Sequence, residues 1–198
     1  MKLVVQNTFL LFLLGVTVPT IFSEWQQGVD AFTRGDYETA FKEFLPLAEE
    51  GNTNAQFLLG GMYDYGRGVP ENDQEALKWY KRAAEQGFAQ AQFLLGGMYD
   101  LGKGVPVDES QTLKWFTLAA RQGFPPAQLG LGDLYYKGKG VPQDNIQAYM
   151  WWSISASLGN EAAQNNSRLL KDEMSRAQVR RADRLARRCL ETDYTECD

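Results

Sequence analysis

Residues 55–70 read AQFLLGGMYDYGRGVP, and residues 91–106 read AQFLLGGMYDLGKGVP. Extending the comparison, 55–90 and 91–126 align without a gap and match at 22 of 36 positions. A third copy, 127–162, keeps the skeleton. Leu59-Gly60, Leu95-Gly96 and Leu131-Gly132 are in step, as are Tyr63, Tyr99 and Tyr135. The loops Gly66-x-Gly68-Val69-Pro70, Gly102-x-Gly104-Val105-Pro106 and Gly138-x-Gly140-Val141-Pro142 follow, then Trp79, Trp115 and Trp151, and then Gly87, Gly123 and Gly159. A constant period of this length marks stacked supersecondary units, each covering the apolar face of its neighbour.

Spacing defines the unit. Ala55, Leu59, Met62 and Tyr63 share one face of a helix of about 11 residues. Gly66 and Gly68 end it, because glycine takes the left-handed geometry after a helix end, and Pro70 blocks resumption. A second helix opens at Asn72, Asp108 and Asp144. Glu75, Gln111 and Gln147 stand three residues on, the spacing of a capping box. Gly60 and Ala84 are expected to let helix backbones approach, with Tyr63 and Trp79 filling the space beside them. The expected fold class is all-α, built from helix, glycine-rich loop, helix and tight turn.

The edges extend the pattern. Asp36, Ala40, Phe44, Ala48 and Gly51 stand 36 residues before Asn72, Ala76, Tyr80, Ala84 and Gly87. Residues 24–54 therefore read as an N-terminal, tetratricopeptide-like helix pair ahead of repeats 55–90, 91–126 and 127–162. From 163 the Leu-Gly-Tyr core gives way to Ser167, Arg168 and Lys171. Ser175 and Gln178 offer a further capping box, and 176–190 reads as a basic helix. Segment 163–198 is expected to form the polar cap that a repeat array needs.

The recurring A-x-x-x-L-G-x-x-Y-x-x-G-x-G-V and A-x-x-W-x-x-x-A-A-x-x-G resemble the Sel-one-like repeat (SLR) family, relatives of tetratricopeptide repeats, over roughly residues 24–170. The resemblance implies a right-handed α/α solenoid with a concave groove that holds a protein partner. Exported relatives include regulators or adaptors of envelope complexes and immunity proteins against exported toxins. Cysteine-rich relatives imply an alternative, an enzyme acting on β-lactams or peptidoglycan. Those carry a cysteine pair in each repeat, whereas residues 24–188 contain no cysteine.

Residues 1–23 have the layout of a secretory signal peptide. Lys2 is the only charge before Glu24, Phe9 to Val18 is apolar except for Thr17, and Ser23 is a small residue before a cut. The alternative is an uncleaved anchor, since 3–22 approaches a bilayer span, although Gln6, Asn7 and Pro19 weigh against it. No later segment is apolar enough to cross a membrane. The expected location is the bacterial periplasm or the exterior. Without 1–23 the chain carries 19 basic and 25 acidic residues, a net charge of −6 that argues against nucleic acid as partner. Arg180, Arg181, Arg184, Arg187 and Arg188 form a basic stripe. It is either a solvated helix face or a dock for an acidic partner or anionic lipid headgroups. Export would oxidise Cys189 and Cys197, pinning the tail to the terminal helix.

The chain has no histidine. That excludes Ser-His-Asp and Cys-His catalysis and the HExxH metalloproteases. No Ser-x-x-Lys occurs either, which removes the nucleophile signature of penicillin-recognising enzymes. The G-x-G loops follow helices rather than strands, so they are not dinucleotide fingerprints. No catalytic residue, metal site or cofactor is expected. What remains is the first-helix face left over by the Leu-Gly-Tyr core. It comprises Phe57, Gly61, Asp64 and Tyr65, then Phe93, Gly97, Asp100 and Leu101, then Leu129, Asp133, Tyr136 and Lys137. Apolar side chains beside carboxylates suit a partner segment with apolar anchors and basic flanks. Phe57 and Phe93 have a second reading, as completion of the inter-repeat core.

Overall fold

The computed structural model of the chain describes residues 18–197, with side chains from Ser23 onward. Most of the expected signal segment, through residue 17, lies outside the described residues. Among the described residues the regular structure is ten α-helices. They are α1 (Val18–Thr33), α2 (Tyr37–Glu49), α3 (Thr53–Asp64), α4 (Asp73–Glu85) and α5 (Ala89–Leu101), followed by α6 (Glu109–Ala120), α7 (Pro125–Lys137), α8 (Asn145–Ser157), α9 (Glu161–Glu173) and α10 (Arg176–Glu191). None of them is long and apolar enough to cross a membrane. Packing divides the chain into two compact units, Met1–Ala83 and Ala84–Asp198.

The helix boundaries follow the expected punctuation. Gly102 and Gly138 cap α5 and α7 in the left-handed conformation. The side chains of Asn72, Asp108 and Asp144 accept the backbone N–H of Glu75, Gln111 and Gln147, respectively. The reciprocal half of the expected capping boxes is absent there, a correction to the sequence reading. The backbone N–H groups of Asn72, Asp108 and Asp144 donate instead to the carbonyls of Tyr63, Tyr99 and Tyr135 at 3.0, 3.1 and 3.0 Å. These bonds close each Gly-x-Gly-Val-Pro loop onto the helix that enters it. Both halves of the box form at Ser175 and Gln178, at the start of α10.

In the first unit, α1 packs on α2 and α2 on α3. Phe44 lies at the centre, fully buried, with Trp25 5.3 Å away between ring centroids. Tyr80 is equally buried against α3 and has its own glycine: a Cβ on Gly60 would lie 2.5 Å from Tyr80 Cδ1. This corrects the expected role of Gly60. The missing side chain makes room for an aromatic ring and not for a helix backbone.

In the second unit, consecutive helices from α5 to α9 pack in sequence, and α10 returns against α8. Gly96 faces Phe116 and Gly132 faces Trp152, so the glycine-for-ring exchange recurs in each repeat. Helix α8 is covered by α7, α9 and α10, which explains why Tyr149, Met150, Trp151, Trp152 and Ile154 are all buried. A polar bond also repeats. Gln92 Nε2 donates to the Ala84 carbonyl at 3.1 Å and Gln128 Nε2 to the Ala120 carbonyl at 3.2 Å. In the first unit Gln56 Nε2 does the same to Ala48 at 2.9 Å. Each glutamine reaches back to the end of the preceding helix, where carbonyls lack intrahelical partners.

The second unit ends in a fold-back. Ala182, Ala186 and Cys189 form the buried face of α10, while Arg180, Arg181, Arg184, Arg187 and Arg188 are exposed. Cys189 and Cys197 lie at disulfide distance, with Cα atoms 4.4 Å apart. Arg188 pairs with Glu196 across the same loop.

Candidate functional site

The ten side chains assigned to the first-helix face differ in their surroundings. Phe57 and Phe93 pack inside their units. Phe57 is half-buried with its ring 5.9 Å from that of Tyr80. Phe93 stacks on Phe116 at 5.3 Å and meets Phe124 edge-on at 5.6 Å. Leu129 is also half-buried against the core of the second unit. Of the two readings given for these phenylalanines, the packing one describes their contacts.

Tyr65 and Leu101 behave differently. They occupy the same position at the end of α3 and of α5, and they are 65% and 77% exposed. Arg67 lies over the Tyr65 ring at 5.5 Å from its centroid. Neither side chain belongs to a buried core cluster.

The carboxylates are each engaged. Asp64 accepts a long hydrogen bond from the Tyr80 hydroxyl at 3.5 Å, and burial holds that hydroxyl far above the ordinary tyrosine range. Asp100 forms an ion pair with Lys139 Nζ at 2.6 Å. The hydrogen bond to Asp100 raises the Lys139 pKa. An Asp100 already neutralised within the chain is a poor dock for a basic flank, and sequence reading gave no hint of Lys139, 39 residues away.

Asp133 sits in the third repeat at the position of Gly61 and Gly97. The indole N–H of Trp152 is shared between Asp133 Oδ1 at 3.0 Å and the Leu129 carbonyl at 3.2 Å, and Asn166 Nδ2 approaches Asp133 Oδ1 at 3.5 Å. Burial raises the Asp133 pKa, a shift that Lys137 and the Trp152 bond only partly oppose. Tyr136 lies 5.3 Å from Trp152 between ring centroids and is 39% exposed. Asp133, Tyr136 and Lys137 line one cavity of about 260 Å³ together with residues that sequence reading missed: Trp152, Asn166, Leu169 and Glu173. One signal was available. Trp152 replaces Tyr80 and Phe116 in the same repeat in which Asp133 replaces glycine, so a new N–H donor and a new acceptor arrive together.

No group of three or more Cys, Asp or Glu residues among the described ones is placed to hold a metal ion.

The profile of the Sel1 repeat matches residues 53–88, 89–124 and 125–160. Among solved structures, a Sel1 repeat protein from Oxalobacter formigenes superposes with a TM-score of 0.71 at 34% identity, over 75% of this chain and 61% of that one. A protective antigen present in uropathogenic Escherichia coli strains and displaying an SLR fold superposes with a TM-score of 0.56 at 27% identity, over 89% of this chain and 47% of the other. The chain thus spans less than two thirds of either. An exopolysaccharide production negative regulator of Rhizobium meliloti is 39% identical over 59 residues, which are 30% of this chain and 22% of the regulator.

Proposed function

From the premise that the chain belongs to the Sel1 repeat family, a class of α/α solenoids that mediate protein–protein interaction, we propose that it is a non-enzymatic partner-binding module of the bacterial periplasm or exterior. Each of its two units offers first-helix residues as a contact surface. The observation that carries this reading is the pair Tyr65 and Leu101, large apolar side chains exposed at one repeat position and unused by either core. Scattered exposed apolar side chains need no explanation, but two large ones at the same repeat position form a pattern. In the third repeat, Tyr136 and Lys137 stand at the matching end of α7.

Two further observations favour the compartment. The N-terminal apolar stretch has the layout of an export signal, and Cys189 and Cys197 stand at disulfide distance, which suits an oxidising environment. Of the two roles considered, regulator or adaptor and immunity protein, the short match to a named regulator favours the first.

The test is affinity capture from an envelope fraction, using the intact chain and three variants. Tyr65→Asp and Leu101→Asp should each weaken recovery of a bound protein by about 2 kcal/mol, as for a binding anchor. Glu85→Lys, on an exposed second-helix position, should leave it unchanged. Equal recovery by all four proteins would remove the first-helix face from consideration.

A further inference from the structure

We propose that the cavity between α7, α8 and α9 receives an arginine side chain of a partner protein, with Asp133 as its anchor. The proposal rests on the protein-binding reading above and specifies what part of the partner enters.

The anchor is held in place by its neighbours. Trp152 and Asn166 both engage Asp133 Oδ1, which leaves Oδ2 with no hydrogen bond from the described residues. Lys137 and the Trp152 bond favour the Asp133 charge, but burial outweighs them. The chain therefore contains a half-buried carboxylate with one oxygen fixed and the other unmet. Burying a charge is costly unless a counter-charge compensates, and burial already raises this group's pKa. A cation on Oδ2 would remove that cost.

The walls select the cation. Tyr136 presents a partly open aromatic ring, and Leu169, 57% exposed, offers an apolar shelf for an alkyl stem. Glu173 adds a second carboxylate to the lining, so the acids outnumber the single lysine. A guanidinium is planar, stacks on an aromatic face and carries enough N–H groups to reach two carboxylates, whereas an ammonium is a compact point charge. Size also decides. A cavity of about 260 Å³ falls below the roughly 300–1,000 Å³ typical of sites for drug-sized ligands, but it accommodates one long side chain. The first two repeats lack the feature, having Gly61 and Gly97 where Asp133 stands.

The Trp152 indole N–H is shared between the anchor and the Leu129 carbonyl, so a change at Asp133 shifts its signal. The ¹⁵N-labelled chain is titrated with Nα-acetyl-argininamide and, separately, with its neutral isostere Nα-acetyl-citrullinamide, with the Trp152 cross-peak identified from Trp152→Phe. A saturable shift is expected with the arginine probe, and binding at least about tenfold weaker with citrulline, because only the former brings a charge-assisted bond. Asp133→Asn keeps an acceptor for Trp152 and should fold, yet it should lose the arginine response to the same extent. An unmoved cross-peak, equal responses to the two probes, or unchanged binding by a folded Asp133→Asn would each overturn the proposal. A failed titration accompanied by partner capture that still depends on Tyr65 and Leu101 discards the pocket and leaves the protein-binding reading intact. Arginine binding with capture indifferent to those residues would make the cavity a small-molecule site, which overturns the assignment to a partner protein.

Discussion

A methyl group on Gly96 would sit 2.6 Å from Cδ1 of Phe116, closer than real side-chain carbons come, while the next residue, Gly97, would meet nothing within 4 Å. Two adjacent helical glycines therefore have opposite reasons to be there. Gly96→Ala forces the Phe116 ring out of a packed site and should cost about 1–3 kcal/mol. Gly97→Ala relieves the backbone entropy of a mid-helix glycine and should stabilise by about 0.4–1 kcal/mol. Urea unfolding of both variants measures the contrast. Equal effects would mean that Phe116 repacks freely.

That pairing shows where sequence reading stopped. Helix boundaries and caps were legible, because glycine, proline and Asx signals act within a few residues of where they stand. The partners of Gly60, Gly96 and Gly132 were not. Each ring lies 20 residues further along the chain, at Tyr80, Phe116 and Trp152, on a different helix. The candidate site divides in the same way. Asp133, Tyr136 and Lys137 were recognisable as departures from the repeat. Asn166, Leu169 and Glu173 reach the cavity from α9, and only packing brings them there. Phe93 was ambiguous for a physical reason: an aromatic residue between two helices has the same spacing whether it meets a partner or Phe116.

The recurring glutamines are not equivalent, and stability should show it. Gln92 Nε2 bonds to the Ala84 carbonyl, and its Oε1 accepts from Gln122 Nε2 at 2.7 Å. Gln128 makes the corresponding carbonyl bond but buries an Oε1 that has no partner. Replacement by leucine removes two hydrogen bonds in the first case. In the second it removes one bond and also an unmet acceptor. With each bond contributing about 1 kcal/mol net, Gln92→Leu should cost about 2 kcal/mol and Gln128→Leu less than about 1 kcal/mol. The reverse order in thermal or urea unfolding would show that the Gln92–Gln122 bond contributes nothing in solution.

The C-terminal tail is expected to be covalently closed. Cys189 and Cys197 are eight residues apart, so the loop is short and its entropic contribution falls at the low end, about 2–3 kcal/mol. Closure also carries Tyr194 against the turn before α7: a Cβ on Gly123 would lie 2.9 Å from the Tyr194 ring. Trypsin cleavage after Arg188 leaves both cysteines on one peptide. Mass spectrometry without reduction should find that peptide lighter by two hydrogens, and Cys197→Ser should lower the melting temperature. Two free thiols in protein isolated from the envelope would contradict the proposed compartment.

The last prediction concerns the Asp133 charge and its sign. Burial raises the Asp133 pKa above its ordinary 3.8. Between 3.8 and the raised value the folded state therefore binds more protons than the unfolded one. Stability must then fall as pH rises through that window, because its slope follows the protons bound by the unfolded state minus those bound by the folded state. Below 3.8 both states are protonated and the contribution vanishes. Above the raised pKa the penalty is complete and constant. Asp133→Asn has no such penalty and keeps an oxygen for the Trp152 indole. The stability of Asp133→Asn relative to the parent should therefore be lowest in acid, increase as pH rises, and level off toward neutrality. Denaturant unfolding at a series of pH values measures this difference. A relative stability of the variant that declines with rising pH would mean that the ionised carboxylate is favoured where it stands, with its counter-charge already in the chain.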